Sequence, residues 1–223
     1  MHNIAIDGPA GAGKSTIARL AAEKLGFIYV DTGAMYRAMA LYFIRKGIAS
    51  GDEAAVQAAC GDIDISIEYQ DGEQMVILNG ENVNAFIRTE QVSMATSDIA
   101  RYPAVRAKLL DIQRNLAAVK DIIMDGRDIG TCVLPDAETK VYLTASADER
   151  ARRRYKEQKE RGIACDIEML KQDIIKRDRQ DMDRETSPLK QAEDAVLLDT
   201  SDLSIEDAVN AVINIYSSKK AAG

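Results

Sequence analysis

The chain has 223 residues, of which 46% are hydrophobic and 29% are charged, a composition typical of a globular protein that can bury one sizeable core. Its formal net charge of -7 disfavours a general nucleic-acid-binding function, so no nucleic-acid partner is expected. His2 is the only histidine, which excludes a Ser-His-Asp triad, a catalytic Cys-His pair and a zinc site built on histidines.

Five short apolar runs predict the buried strands of a parallel sheet. They are residues 4–6, 27–30, 122–124, 141–143 and 195–198. Each run is continuous rather than alternating, as expected where helices cover both faces of a sheet, and helical stretches lie between the runs. An aspartate follows four of them: Asp7, Asp31, Asp125 and Asp199. Because ligands bind beyond the carboxyl ends of such strands, these aspartates mark the expected functional edge.

A phosphate-binding motif follows the first strand and opens a helix predicted over residues 14–25. It fits the pattern G-x-x-x-x-G-K-[ST], in which glycines let backbone N–H groups face phosphate oxygens. Lys14 is expected to reach the β- and γ-phosphates as a catalytic residue, and the Ser15 hydroxyl to bind Mg²⁺ directly. The predicted triphosphate site consists of Gly8, Pro9, Ala10, Gly11, Ala12, Gly13, Lys14, Ser15 and Thr16.

Arginines recur on the same edge, in residues 31–37 after the second strand and in residues 125–130 after the third. An arginine offers two parallel donors to a phosphate, so Arg37 and Arg127 predict a second phosphate site that faces the first. The sequence allows two roles for Asp125: it binds Mg²⁺ through water, or it caps the following turn.

Two segments between the predicted strands depart from the alternation of strands and helices. Residues 63–69 alternate in polarity, Asp71-Gly72 supplies a turn and residues 75–78 return, which predicts a β-hairpin in a small insertion. Residues 150–161 contain seven basic side chains and only two acidic ones. This basic stretch is either a lid over bound phosphates or a solvated helical face with i,i+4 ion pairs.

Nearer the carboxyl terminus, Arg177, Asp181 and Arg184 are spaced to lie on one face of a helix. They form either a polar surface for a sugar and base or a ladder of ion pairs. A final helix is predicted to begin at Ser204, with Asp207 completing a capping box. We find no candidate base for an alcohol acceptor, and a monophosphate acceptor needs none because it is already ionised at pH 7.

Together these motifs resemble those of the bacterial cytidylate kinases, in the P-loop group of nucleoside-monophosphate kinases. The segments that carry the resemblance are residues 6–16, 31–37, 87–89, 125–131, 149–154, 177–184 and 187–189. The resemblance implies an α/β three-layer fold with a five-stranded parallel sheet. It also implies a P-loop core (residues 1–61, 101–147 and 185–223), a monophosphate-binding insertion (62–100), and a mobile lid with its flanking helices (148–184).

The resemblance further implies reversible, Mg²⁺-dependent phosphoryl transfer from ATP to CMP or dCMP, giving ADP and CDP or dCDP, in pyrimidine nucleotide metabolism. Arg127 and Arg153 join Lys14 as implied catalytic residues, with Arg153 approaching the ATP phosphates. The implied CMP site consists of Thr32, Arg37, Ser97, Arg106, Arg127, Asp128, Arg177, Asp181 and Arg184. Among these, the resemblance assigns cytosine to Ser97, Arg106 and Asp128, and the ribose hydroxyls to Arg177 and Asp181.

Other functions remain open at this stage. The chain could phosphorylate another monophosphate such as UMP, or a small metabolite, or it could be a nucleotide-binding switch without phosphoryl transfer. The absence of an N-K-x-D base-reading motif argues against a GTPase. Three widely spaced cysteines without a CxxC pair predict free thiols and a cytoplasmic location. No apolar run or leader pattern indicates a membrane partner, and a monomer is expected.

Overall fold

The computed structural model describes residues 1–222, which contain a five-stranded parallel sheet and a three-stranded antiparallel sheet. The strands of the parallel sheet are β1 (Asn3–Asp7), β2 (Ile28–Asp31), β6 (Ile122–Gly126), β7 (Thr139–Thr144) and β8 (Val196–Asp199). Those of the antiparallel sheet are β3 (Ile65–Gln70), β4 (Glu73–Leu78) and β5 (Glu81–Asn82). The strands of the parallel sheet lie in the order β2-β6-β1-β7-β8.

Helices cover both faces of the parallel sheet. The helices within residues 1–222 are α1 (Lys14–Leu25), α2 (Thr32–Arg45), α3 (Glu53–Ala59), α4 (Glu90–Ile99), α5 (Pro103–Val119), α6 (Ala147–Glu160), α7 (Ile167–Asp183) and α8 (Ile205–Ala222). Ile4 and Ile6 of β1 pack against α1 and α8 on one face, whereas Ala5 between them joins the α5 side. Successive strand residues point to opposite faces, so continuous apolar runs are what this sheet needs.

The sequence predicted the positions of all five parallel strands, but its prediction that all five are buried is wrong for the last. β8 pairs only with β7 and forms one edge of the sheet. Leu197 is 57% exposed, while the neighbouring Leu198 packs with α1 and α8 on the covered face. A continuous apolar run therefore did not distinguish a central strand from an edge strand with one open face.

The predicted hairpin is confirmed as β3 and β4, joined at Asp71 and Gly72. Both turn residues have positive φ, of 53° and 80°, as a tight turn between antiparallel strands requires. Buried residues of this small sheet, such as Val76 and Leu78, share one apolar cluster with α2, α4 and α5. The insertion therefore packs into the body of the protein instead of projecting from it.

Candidate active site

The predicted phosphate-binding motif (residues 8–16), called the P-loop from here on, connects β1 to the start of α1 and is shaped by glycines. A side chain at Gly8 would place its Cβ 1.9 Å from the Leu143 carbonyl oxygen, so no other residue fits beside β7. Gly11 and Gly13 adopt left-handed conformations with φ of 75° and 92°. The loop ends at the amino terminus of α1, where unpaired N–H groups and the helix dipole favour an anion.

Lys14 is buried below this loop, and its Nζ donates a hydrogen bond to the Pro9 carbonyl oxygen at 2.8 Å. Burial, and then the positive charge of Arg127, lower the pKa of Lys14 to about 7. In the absence of phosphate, the Lys14 amino group is thus held by the Pro9 carbonyl oxygen and lies near the charged side chains of Arg127 and Asp125. A phosphate that replaces the carbonyl partner would stabilise the charged form.

Ser15 and Asp125 supply the oxygens that suit a magnesium ion. The Ser15 hydroxyl donates to Asp125 Oδ2 at 3.0 Å, which leaves the hydroxyl lone pairs free for a cation. Burial, and then the nearby Asp31 charge, raise the pKa of Asp125 to about 6. Residues 1–222 contain no group of three or more His, Cys, Asp or Glu side chains placed to hold a metal ion together. Few protein ligands are normal for Mg²⁺, which takes its other ligands from water and substrate phosphates.

The side of the site predicted to bind the monophosphate, called the acceptor side, begins where β2 ends. Asp31 caps α2 by accepting a hydrogen bond from the Ala34 N–H at 2.8 Å, and it also accepts from Arg37 Nη2 at 2.8 Å. Thr32 donates its hydroxyl to the Asp125 carbonyl oxygen at 2.7 Å. The strand end and the helix start therefore place Thr32 and Arg37 beside the Ser15–Asp125 pair, on the predicted edge.

Partly buried arginines and buried aspartates alternate on the opposite wall of the acceptor side. Arg127 Nε donates to Asp181 Oδ2 at 2.8 Å, and Arg106 donates to Asp128. Arg184 lies 3.8 Å from Asp128 and 3.9 Å from Asp181. Each carboxylate offsets the charge of neighbouring guanidinium groups, which makes burial of several cations together tolerable.

Two further predicted residues reach this wall from facing helices. Burial, and then the charge of Arg127, lower the pKa of Arg177 to about 10, and its buried Nε has no hydrogen-bond partner within residues 1–222. Ser97 on α4 faces the same space, and its carbonyl oxygen accepts from Gln180 of α7 at 3.3 Å. Both remain predicted binding residues that the fold brings to one place.

The basic stretch of α6 divides into residues with different surroundings. Arg150 is 5% exposed and bonded to Asp178. Arg153 donates from Nη2 to the Thr200 carbonyl oxygen at 2.6 Å and from Nε to Glu149 at 3.0 Å. The Arg154 side chain forms no ion pair or hydrogen bond with any residue in 1–222, although it faces the cavity. An i,i+4 pair from Arg153 to Glu157 is not formed.

A single cavity of about 1030 Å³ connects all these groups. Of the predicted site residues, only Gly8, Pro9 and Ala12 do not line it. Its two ends differ: the acceptor wall is charged, whereas the far side of the P-loop is lined by Thr200, Leu203 and Ile205. Within residues 1–222 no helix has the length and apolar character needed to cross a membrane.

The model of the cytidylate kinase family matches residues 4–218 of the chain. The chain belongs to the cytidylate kinase family. Among its relatives, the cytidylate kinase of Caldicellulosiruptor saccharolyticus is 50% identical over 214 residues, which cover 96% of this chain and 95% of that protein. The cytidylate kinase of a Geobacillus species (strain WCH70) is 46% identical over 216 residues, covering 97% and 96%. Family membership identifies a phosphotransferase and disfavours the nucleotide switch.

Solved structures support the fold of this cytidylate kinase family member. A shikimate kinase from Bacteroides thetaiotaomicron superposes with a TM-score of 0.50 at 14% identity, covering 97% of this chain and 98% of its own. An uncharacterised protein from Eubacterium ventriosum gives a TM-score of 0.53 at 11% identity, covering 98% and 99%. At these identities the likeness concerns the α/β fold alone, which agrees with the predicted fold class.

Sequence reasoning missed several residues that line or support the site of this cytidylate kinase family member. Tyr29 donates its hydroxyl to Asp125 Oδ1 at 2.8 Å, and the Tyr36 ring lies under the Arg106 guanidinium, 5.7 Å away. Arg154 was predicted only as one member of the basic stretch, and no binding role was predicted for the segment from Thr200 to Ile205. Among these residues, the sequence pointed only to Tyr36 and Arg154, because both lie inside segments that carry the family resemblance, residues 31–37 and 149–154.

Proposed function

We propose that the protein transfers the γ-phosphate of Mg²⁺-bound ATP to CMP or dCMP and releases ADP and CDP or dCDP. The observation that carries this proposal is that Arg37 and Arg127 line the same cavity as the P-loop, in a chain of the cytidylate kinase family. Two phosphate-binding sets that face each other suit the transfer of a phosphoryl group between two nucleotides.

The donor side binds the triphosphate through backbone N–H groups of the P-loop and through Lys14. Ser15 would hold the metal directly and Asp125 through water. Mg²⁺ bound there neutralises charge on the β- and γ-phosphates. The apolar end of the cavity at Leu203 and Ile205 offers a surface for the donor base, and the neighbouring Arg153 can stack over it.

The acceptor side holds the monophosphate through Arg37 and Arg127, with Thr32 beside them. Arg177 and Asp181 face the ribose, and Arg184 lies between base and phosphate. Asp128, Arg106 and Ser97 recognise cytosine. The carboxylate of Asp128 accepts from the exocyclic amine of cytosine, while the Arg106 guanidinium donates to ring acceptors.

The transfer itself needs charge stabilisation more than proton transfer. The attacking oxygen belongs to an ionised phosphate, so no residue has to remove a proton. Lys14, Arg127 and Arg153 would offset negative charge in the transition state. α6 closes one side of the cavity, and excluding water there limits hydrolysis of ATP.

UMP is the second candidate acceptor, because the Arg106–Asp128 pair presents both donors and acceptors to the base. Uracil carries a carbonyl oxygen where cytosine carries an amine, and the Asp128 carboxylate repels that oxygen. We therefore propose that CMP is preferred over UMP.

The same proposal includes the remaining predictions about organisation and location. Residues 62–100 form the part that adapts to the monophosphate, residues 148–184 form the lid region, and the rest forms the P-loop core. Cys60, Cys132 and Cys165 are all free thiols, which suits a protein that works in the cytoplasm. A monomer is proposed, because residues of this one chain line both the donor and the acceptor side of the cavity.

A coupled assay for ADP release from Mg·ATP tests the proposal directly. It is run separately with CMP, dCMP, UMP, AMP and GMP, and once without acceptor. Fast turnover with the cytidine nucleotides alone is expected. Equal turnover with UMP would contradict the base assignments of Ser97, Arg106 and Asp128 but keep the transfer mechanism. ADP release that does not depend on an acceptor would contradict the kinase proposal.

A further inference from the structure

The outer side of the P-loop is held by a buried arginine from α6. Arg150 Nη1 donates to the Ala10 carbonyl oxygen at 3.0 Å, and Nε donates to the Ala145 carbonyl oxygen at 2.9 Å. Its Cβ also lies 3.6 Å from the position of a Cβ at Gly11. Arg150 belongs to the basic stretch, and one of its N–H groups is thus directed to a backbone carbonyl of the P-loop.

Asp178 of α7 fixes this arginine from the other side. Its two carboxylate oxygens accept from Nη1 and Nη2 of Arg150 at 3.1 and 2.6 Å, and both side chains are buried. A guanidinium held at two points by a carboxylate has little freedom to rotate. One turn further along α7, Asp181 holds Arg127 on the acceptor side.

The bond to Ala10 also determines where the next N–H group points. A trans peptide is planar, so the N–H of Gly11 points away from the Ala10 carbonyl and hence away from Arg150. Lys14 holds the Pro9 carbonyl in the same manner. The N–H groups of Ala10, Gly11 and Gly13 donate no hydrogen bond to any residue in 1–222, so they remain available to an anion. The loop lacks the ladder of hydrogen bonds that would hold these peptides in a helix or strand.

We propose that Arg150, fixed by Asp178, is a positioning residue that keeps the Ala10–Gly11 peptide of the P-loop in its phosphate-binding orientation. Arg150 acts through the loop backbone and needs no contact with phosphate. Without it, binding a phosphate must also order this peptide, which lowers affinity. The proposal rests on the proposed binding of ATP by the P-loop, and it adds a role for two residues outside the predicted site.

Calorimetric binding of Mg·ADP and, separately, of CMP to the Arg150→Lys and Asp178→Asn proteins tests this role. Lysine keeps the charge but cannot bond to Ala10, Ala145 and Asp178 together. Asparagine keeps the shape of Asp178 but removes its charge. We expect the Kd for Mg·ADP to rise about ten-fold or more in both variants, with the Kd for CMP within about two-fold of the original. The matched control is Arg152→Lys on the same helix, where the side chain is 71% exposed and pairs only with Glu149.

The outcomes separate this role from a general contribution to stability. Unchanged Mg·ADP binding in both variants would overturn the proposal. Equal losses for Mg·ADP and CMP, together with a lower Tm, would also overturn it, because they would indicate damage to the whole fold. If the Arg150→Lys protein does not fold, the binding data for Asp178→Asn alone support or overturn the positioning role of Arg150. If the original protein fails to bind Mg·ADP, the proposed function fails instead.

Discussion

On the acceptor side, each predicted phosphate- or base-binding arginine has an aspartate that holds it. Asp31 holds Arg37, and Asp181 holds Arg127, both at 2.8 Å. Long arginine side chains lose conformational entropy when they are ordered, so ordering them during folding reduces the cost of binding later. We therefore expect the aspartates to contribute to substrate affinity even where they do not contact substrate.

Asp128 combines this supporting role with a predicted contact to the base. Asp128→Asn keeps the side-chain volume but removes the charge that faces Arg106 and Arg184. We expect KM for CMP to rise about ten-fold and the preference for CMP over UMP to shrink, because a hydrogen bond to a charged group contributes about 1.5–3 kcal/mol. KM for ATP should change little.

Steady-state kinetics with CMP and UMP, at saturating and varied ATP, measure these effects. Asp136→Asn, at an exposed position in the loop before β7, provides a matched control. Equal losses of kcat/KM for CMP, UMP and ATP would show that Asp128 supports the fold without reading the base.

Among the secondary-structure elements, the small antiparallel sheet is fastened to the edge of the main sheet by two side chains, the Gln74 amide and the Tyr69 hydroxyl, which donates to the Tyr29 carbonyl oxygen at 3.1 Å. Gln74 of β4 accepts from the Asp31 N–H at 2.8 Å and donates to the Asp31 carbonyl oxygen at 3.1 Å. β2 is an edge strand, and Gln74 occupies the hydrogen-bonding positions that a neighbouring strand would use. Movement of the insertion is thereby linked to the residue that orients Arg37.

Gln74→Leu tests this link because leucine has a similar size and cannot form either hydrogen bond. We expect KM for CMP to rise several-fold, about what the loss of one or two net hydrogen bonds of 0.5–1.5 kcal/mol produces, while KM for ATP stays the same. Hydrogen exchange over residues 73–82 should become faster. Gln70→Leu, at the exposed end of β3, serves as the control. Faster exchange with an unchanged KM for CMP would contradict the prediction, because it would show that loosening the insertion does not weaken acceptor binding.

Across the whole molecule, the sequence predicted those features that depend on local pattern. Apolar runs located the parallel strands, the Asp71-Gly72 turn located the hairpin, and the P-loop spacing located the glycine-shaped loop between β1 and α1. The exposure of β8 could not be predicted, since it depends on which strands are neighbours in the sheet. The roles of Tyr29, Gln74 and Arg150 depend on contacts between distant segments, and no local spacing encodes such contacts.

The packing of the insertion predicts how the whole molecule unfolds. Leu78 of β4 is 3% exposed and belongs to the same apolar cluster as α2 and α5, while Leu143 of β7 is fully buried in the main sheet. Because α2 also packs against β6, the two regions should lose structure together. Leu78→Ala and Leu143→Ala should each lower the free energy of unfolding by about 2–5 kcal/mol in one shared transition.

Urea unfolding followed by far-ultraviolet circular dichroism and by tyrosine fluorescence measures this cooperativity. Coincident curves from both probes are expected for the original protein and for both variants, because the insertion contributes to a core that α2 needs. The exposed substitution Met94→Ala on α4 controls for loss of apolar volume without loss of packing. A separate early transition in Leu78→Ala alone would instead mean that residues 62–100 unfold independently, and the insertion would then be a domain in the thermodynamic sense.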